Sequence, residues 1–380
     1  MVKRHRKPLR KAWQASDTRT AGGCGITVTE DTMEKRVTIK DIARETGLSV
    51  GAVHCALTGK AGVSDVTRER VIEVSKSLGY RPNSAAASLA RKSLRIAACF
   101  PSEEGEGRYY FAFIWDGIKS YFKNLIDLNV ELVLRPFTQG GQNAELIALM
   151  DEPIDGLLTS GYGGEGEPPL LAPFIERGIP VALIGSDEPE SGRLCCVQSN
   201  YPVIGSVMAE LIDRETPCGA GVLMLTGDPH DPSHYLVVEG FERYGGDIRL
   251  VKLPSVNSNE STLSLVKELL SSDSVCACCA VNAKSSVLLG RALTESGRAG
   301  KLIAVGSDLF SQTMELLKSG VFTNLFHKKP YSQAYTASKY LTDYLLRGER
   351  PTRELVYVGN ELIFLSNLEM YDNGQYRLIR

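Results

Sequence analysis

Val37-Thr38-Ile39-Lys40-Asp41-Ile42-Ala43-Arg44-Glu45-Thr46-Gly47-Leu48-Ser49-Val50-Gly51-Ala52-Val53 opens a stretch that runs on through Gly79-Tyr80-Arg81-Pro82-Asn83 to Arg91-Lys92. Ile39, Ile42 and Ala43 recur at helical spacing and make one short apolar face. Thr38 is placed to cap this helix, and Asp41, three residues on, can reach back, which approximates a capping box. Gly47 stops it, because glycine enters the left-handed region without a Cβ clash. Ser49 then caps a second helix, Val50 to about Leu57, and Ser64 a third, roughly Asp65 to Leu78. Val71, Val74 and Leu78 would close a small core with Ile42, Val53 and Leu57. Two helices joined at a corner containing glycine make a helix-turn-helix, whose second helix can enter a DNA major groove. A plain three-helix bundle fits the same spacing.

After Pro82, Asn83 can cap Ser84-Ala85-Ala86-Ala87-Ser88-Leu89-Ala90-Arg91-Lys92. This is a strong helix former, but too short to hold together alone in water. A lone Leu89 among alanines suits a minor-groove wedge; a simple linker helix fits as well. Together, Val37-Thr38-Ile39-x-Asp41-Ile42-Ala43, Gly47-Leu48-Ser49, Val53, Val63-Ser64, Thr67-Arg68-Glu69-x-Val71, Leu78-Gly79-Tyr80-x-Pro82-Asn83 and Ala87-x-Leu89-Ala90 resemble the lactose-repressor (LacI) family of bacterial regulators, with order and spacing unbroken. The resemblance implies a homodimer on double-stranded operator DNA. It implies DNA contacts from Thr38, Ser49, Val50, Gly51, Ala52, His54, Cys55, Thr58, Thr67, Asn83 and Ala86, with Leu89 as the wedge. Val50, Gly51 and Cys55 fall where this family's base-reading side chains sit. Cys55 replaces a long polar side chain, often the Arg that makes the commonest specific contact, to guanine. The family pattern therefore does not supply the operator sequence.

Charge is segregated along the 380 residues, whose formal net charge is −2. Residues 34–93 hold 11 Lys and Arg against 6 Asp and Glu, and residues 1–33 hold 7 against 3. The remaining 25 against 36 leave the body at −11. A basic head on an acidic body fits a protein that meets phosphates with one end only. The nine cysteines include Cys195-Cys196 and the apolar run Val275-Cys276-Ala277-Cys278-Cys279-Ala280-Val281, which reads as a buried parallel strand. No ligand set at zinc spacing stands out, so no metal or cofactor is expected. Free thiols point to a reducing, cytoplasmic, nucleoid-associated location. No apolar run is long enough to cross a bilayer, and no secretion signal opens the chain. Residues 1–33 read as a disordered basic extension, and Met33 reads as the natural start.

From Ser93 onward short apolar runs alternate with helical patterns. The strands are Leu94 to Phe100, Val130 to Leu134, Gly156 to Thr159, Pro180 to Gly185, Gly221 to Thr226, Val275 to Val281 and Leu302 to Gly306. The helices include Phe113 to Leu125, Pro202 to Asp213, Leu263 to Ser271 and Ser285 to Ser296. This βαβ alternation predicts doubly wound parallel sheets, too many strands for one, hence two lobes and a cleft. The pattern resembles the type I periplasmic sugar-binding fold that the LacI family carries as its effector domain. The expected division is a helix-turn-helix head at 34–82, a hinge helix at 83–93 and a two-lobed body at 94–380. Its N-lobe would take about 94–199 and 327–357, and its C-lobe 200–326 and 358–380.

The resemblance also implies where a carbohydrate-like effector would sit. Tyr110 and Phe111 precede a helix where aromatic pairs stack on a sugar face; ordinary lobe packing fits too. Asn282 ends a strand, and Asp308 follows Val305-Gly306-Ser307 where the family has a carboxylate for sugar hydroxyls. The family's ligand-clamping Arg is absent; Tyr235 and Val237 stand nearest its place. Lys328 replaces an uncharged amide and can either meet an acidic ligand or point to solvent. Gly161-x-Gly163-x-x-Gly166 mimics a dinucleotide fingerprint, but it follows the third strand and carries Glu165 and Glu167. No catalytic constellation stands out. The expectation is a ligand-controlled, sequence-specific transcriptional regulator, a repressor, and not an enzyme. Its alternatives are an activator, a regulator with a non-sugar or acidic ligand, and, remotely, a solute-binding protein.

Overall fold

The computed structural model describes residues 37–58, 61–80, 93–105, 109–125, 128–138, 140–164, 167–217, 219–244, 246–254 and 259–372, with only the backbone of Thr58 and Asp372. The extension at 1–33, Asn83, Ala86, Leu89 and all but the last residue of the expected hinge lie outside these. The chain divides into two units, Met1–Asn83 and Ser84–Arg380.

The head is three helices: α1 (Ile39–Thr46), α2 (Val50–Thr58) and α3 (Asp65–Ser77). Asp41 does the capping of α1. Its Oδ2 accepts from the Thr38 amide at 2.9 Å and from the Thr38 hydroxyl at 2.7 Å, within the capping box that the spacing suggested. Gly47 ends α1 in the left-handed region at φ 69°. The Ala52 amide donates to Ser49 Oγ at 3.1 Å, and the Thr67 amide to Ser64 Oγ at 3.3 Å, so α2 and α3 start where the serines stand. Ile42, Ala43, Val53, Ala56 and Val71 are buried at the centre, with Leu57, Val74 and Leu78 against them.

The body has two six-stranded sheets. In the first, β1 (Leu94–Pro101), β2 (Val130–Phe137), β3 (Gly156–Thr159), β4 (Val181–Ile184), β5 (Cys195–Ser199) and β11 (Leu355–Val358) are all parallel, in the order β11-β5-β4-β3-β1-β2. In the second, β6 (Ala220–Gly227), β7 (Ile248–Pro254), β8 (Val275–Ala280), β9 (Ile303–Ser307) and β10 (Asn324–His327) are parallel and β12 (Glu361–Ile363) is antiparallel, in the order β12-β10-β9-β8-β6-β7. The chain passes between sheets after β5, after β10 and after β11.

Each sheet is covered on both faces, so its central strands read as unbroken apolar runs. Along β1, Ile96, Ala98 and Phe100 join one core and Ala97 and Cys99 the other, as a two-residue repeat requires. The first core lies under α4 (Phe111–Lys123) and α12 (Pro330–Arg347), the second under α5 (Gln142–Met150) and α6 (Ala172–Glu176). In the second sheet α7 (Tyr201–Glu215) and α8 (Pro232–Tyr244) cover one face. The helices α9 (Glu260–Leu270), α10 (Ala283–Glu295) and α11 (Ser311–Lys318) cover the other. Cys278 and Cys279 are fully buried in β8, between β6 and β9, and burial pushes the Cys278 thiol up to about 12.

The crossing of α7 and α8 rests on two glycines. A Cβ on Gly205 would stand 1.9 Å from the Val237 carbonyl oxygen, and one on Gly240 would stand 2.0 Å from that of Pro202. Backbone cannot yield as a flexible side chain does, so the Gly240→Ala variant is expected to lose about 3 kcal/mol by overpacking. Urea unfolding of the variant beside the parent checks this.

His327 closes β10 with Nδ1 buried and unpartnered among the described residues. Burial, with the Lys329 charge nearby, pulls its pKa down from 6.5 to about 4. Between those values the unfolded chain binds a proton that the folded chain refuses. Stability is therefore full above pH 6.5 and falls on acidification, at most about 1.4 kcal/mol per pH unit within the window. The urea midpoint should fall less steeply with pH in His327→Gln than in the parent.

Candidate functional site

In the head, a helical step of 100° per residue divides α2 into two faces. Val53 and Ala56 face the core at 0% and 2% exposure, while Val50, Gly51 and His54 are exposed. Ala52 and Cys55 lie at the border, half-buried. The Arg68 guanidinium of α3 donates to the carbonyls of Cys55 and Ala56 at 3.1 and 3.2 Å. It thereby satisfies acceptors that the end of α2 leaves open. Thr38 and Thr67 sit at the first turns of α1 and α3, where both hydroxyls serve local caps. An outward face, held by a filled core and three satisfied caps, is what insertion into a groove requires.

In the body, strands of both sheets end around one cavity of about 570 Å³, within the usual range for small-molecule sites. Residues at or just past the carboxyl ends of β1, β3, β4, β6, β8, β9 and β10 line it: Pro101, Ser160, Ser186, Asp228, Asn282, Asp308 and Lys328. Ligands of open α/β sheets bind at this end of the strands.

The expected effector residues Tyr110, Phe111, Asn282, Asp308 and Lys328 all line this cavity. Tyr235 does not: it is 44% exposed on the outer side of α8, and Val237 is buried in the core. The residues that line the cavity from this helix are Ser233 and His234, and one further residue's step turns the Tyr235 side chain away by 100°. Lys328 also departs from its solvent reading. It is buried, with Nζ donating to the Val281 carbonyl at 2.7 Å and lying 3.5 Å from Asp308 Oδ2.

Asp308 is held at φ 70°, a left-handed conformation that Asp tolerates better than most residues. Its amide donates to the Phe326 carbonyl at 2.7 Å, and its Oδ1 is buried and unpartnered among the described residues. Burial raises its carboxyl above the usual range, and the Lys328 charge opposes that rise. Asn282 Oδ1 accepts the Ser285 amide at 2.8 Å and caps α10, which turns Nδ2 toward His234 Nε2 at 3.1 Å. Gly227, at φ 67°, admits this contact, since a Cβ there would stand 2.3 Å from Asn282 Nδ2. Tyr110 donates to Gln333 Oε1 at 3.3 Å, and burial pushes its phenol well up.

Sequence reasoning missed the groups that meet across the cleft. Tyr162, after β3, donates to Asp228 Oδ2 at 2.5 Å, and Ser186, after β4, donates to Asp231 Oδ1 at 2.8 Å. Tyr109 stacks on Phe310 with ring centroids 4.8 Å apart. Asp228 and Asp231 follow β6 directly, so the strand-end rule could have pointed to them; their partners are set by tertiary structure alone. Of the glycines of the false fingerprint, Gly163 lines the cavity, Gly161 does not, and Gly166 lies outside the described residues.

Residues 38–83 match the bacterial regulatory proteins of the lacI family, and residues 102–350 match the periplasmic binding protein domain. The chain belongs to the periplasmic binding protein domain family and carries a lacI-family domain at its head. Catabolite control protein A of Priestia megaterium is 45% identical over 210 residues, 54% of this chain and 60% of that protein. The same-named protein of Streptococcus mutans serotype c is 28% identical over 163 residues, 43% and 46% of the two chains. The chain spans about half the length of the curated relatives it matches. Among solved structures, GanP, a glucose-galactose binding protein from Geobacillus stearothermophilus, has a TM-score of 0.64 at 20% identity, covering 73% of this chain and 99% of that one. An ABC transporter solute binding protein from Bacillus halodurans with bound myo-inositol also reaches 0.64, at 16% identity and 74% and 98% coverage. At these identities the body shares their fold. None of the described helices is long and apolar enough to cross a membrane.

Proposed function

We propose that this protein is a DNA-binding transcriptional regulator, acting in the cytoplasm as a homodimeric repressor, whose operator affinity is set by a small polar molecule in the cleft. The observation that carries the reading is the outward face of α2, with Val50, Gly51 and His54 exposed on a capped and filled three-helix head. In this reading Thr38, Ser49, Ala52, Cys55, Thr58 and Thr67 add DNA contacts, and Asn83, Ala86 and Leu89 act from the hinge. The lacI-family match at residues 38–83 and the basic charge of residues 34–93 support it. Ligand binding closes the lobes and biases the hinge at 83–93; a coupling of about 1–3 kcal/mol is enough to switch occupancy.

Binding to random duplex DNA across a salt series tests the head. Affinity is expected to fall steeply, by about three orders of magnitude between 50 and 200 mM salt for six phosphate contacts. Binding that is absent, or flat with salt, removes the DNA-binding reading.

A further inference from the structure

Among the described residues, the cleft lining holds more carboxylates than lysines and arginines. Among the described residues, Glu104, Asp228, Asp231 and Asp308 line it, against Lys284 and Lys328. Lys328 is already engaged by the Val281 carbonyl at 2.7 Å and by Asp308 at 3.5 Å. Asp228 accepts from the Tyr162 hydroxyl at 2.5 Å and the His230 amide at 2.9 Å. Asp231 accepts from the Ser186 hydroxyl and the Ser233 amide, each at 2.8 Å. All four donors are neutral. Among the described residues, no lysine or arginine pairs with either carboxylate; the nearest basic group is the His234 ring, 3.6 Å from Asp231. The Asp228 amide lies 3.1 Å from Nδ1 of that ring.

A second observation points to a ligand independently of that pair. Asp308, just past the β9 end and 3% exposed, lines the same cavity and holds a buried Oδ1 that is unpartnered among the described residues. A buried acceptor without a donor is costly and is relieved by a ligand that supplies one. Tyr109, Tyr110, Phe111 and Tyr162 line the cavity too, and aromatic faces attract an ammonium while they stack on apolar sugar faces.

We propose that the molecule this cleft takes is a polyol bearing an ammonium group, of the amino sugar or aminocyclitol class, with its nitrogen at Asp228 and Asp231 and a hydroxyl at Asp308 Oδ1. This deepens the small-molecule reading of the cleft and rests on it. An anionic ligand, which Lys328 suggested from sequence, would bring its charge among three carboxylates while the lysine is held by one of them.

Calorimetric titration of the full chain at pH 6.5 tests this with nine probes: glucosamine, galactosamine and mannosamine, the parent hexoses, and their 6-phosphates. The amine of at least one series is expected to bind about tenfold or more tightly than its parent hexose, with the phosphate weakest. The Asp228→Asn/Asp231→Asn variant, which keeps acceptors for Tyr162 and Ser186, is expected to bring that amine down to its parent. If a hexose or a phosphate matches or exceeds the amine in every series, the ammonium is wrong and the small-molecule cleft stands. If none of the nine binds, the amine proposal and the sugar-like reading fall together. An amine preference that survives the double substitution overturns its placement at these carboxylates.

Discussion

Ile42→Ala is expected to abolish DNA binding while leaving the body intact. Ile42 is fully buried at the centre of the head, in contact range of the core built by Val53, Ala56 and Val71. Removing its methyl and methylene groups costs about 2–5 kcal/mol, transfer and cavity together. A head this small buries too little surface to hold much more than that in reserve. The variant head therefore unfolds, and affinity for duplex DNA drops by about a hundredfold or more. Ile42→Val, at about 1 kcal/mol, should fall in between. Fluorescence anisotropy with labelled duplex measures the binding, and calorimetry shows whether the body still melts at its parent temperature. Parent-like affinity in Ile42→Ala, with the head transition lost, would mean that something other than the head holds DNA.

Lys328→Met is expected to destabilise the body more than most single substitutions. Its ammonium and the Asp308 carboxylate are each 4% exposed as side chains. Taking away one member of a buried pair leaves the other uncompensated, a cost of about 3–5 kcal/mol. Removing both charges costs far less, since the two desolvation penalties vanish together. Asp308→Asn is the right companion change, because Asn also tolerates the positive φ that Asp308 adopts. The single and double variants, compared by urea unfolding, make a cycle whose coupling term reports the pair. A double variant no more stable than Lys328→Met would show that the lysine acts through its bond to Val281 alone.

Much of the fold could be read from local chemistry. Thr38, Asp41, Gly47, Ser49 and Ser64 mark the head's helix boundaries because caps involve neighbours in the chain. The long apolar runs at Leu94, Gly221 and Val275 read as strands because both faces of each sheet are covered. The strand at Cys195–Ser199 escaped notice, although all five residues are buried, because Cys, Gln and Ser carry no strong strand preference. β11 and β12 were missed too; each is a short edge strand that exists through its partner, β5 or β10.

The site divides along the same line. Strand ends and their neighbours brought Tyr110, Phe111, Asn282, Asp308 and Lys328 to one cavity, and these were legible as positions in a pattern. The cross-cleft bonds of Tyr162 and Ser186 were not, since 66 and 45 residues separate them from Asp228 and Asp231. Local order alone settled the helices of the head, the apolar strands such as Leu94–Pro101 and the basic charge of the head, because caps, periodicity and charge act over a few residues. Which carboxylates face which hydroxyls, whether Lys328 meets water or Asp308, and whether His234 or Tyr235 faces the cavity waited for the folded chain. Burial and pairing are properties of groups brought together in space, and no spacing along the chain encodes them.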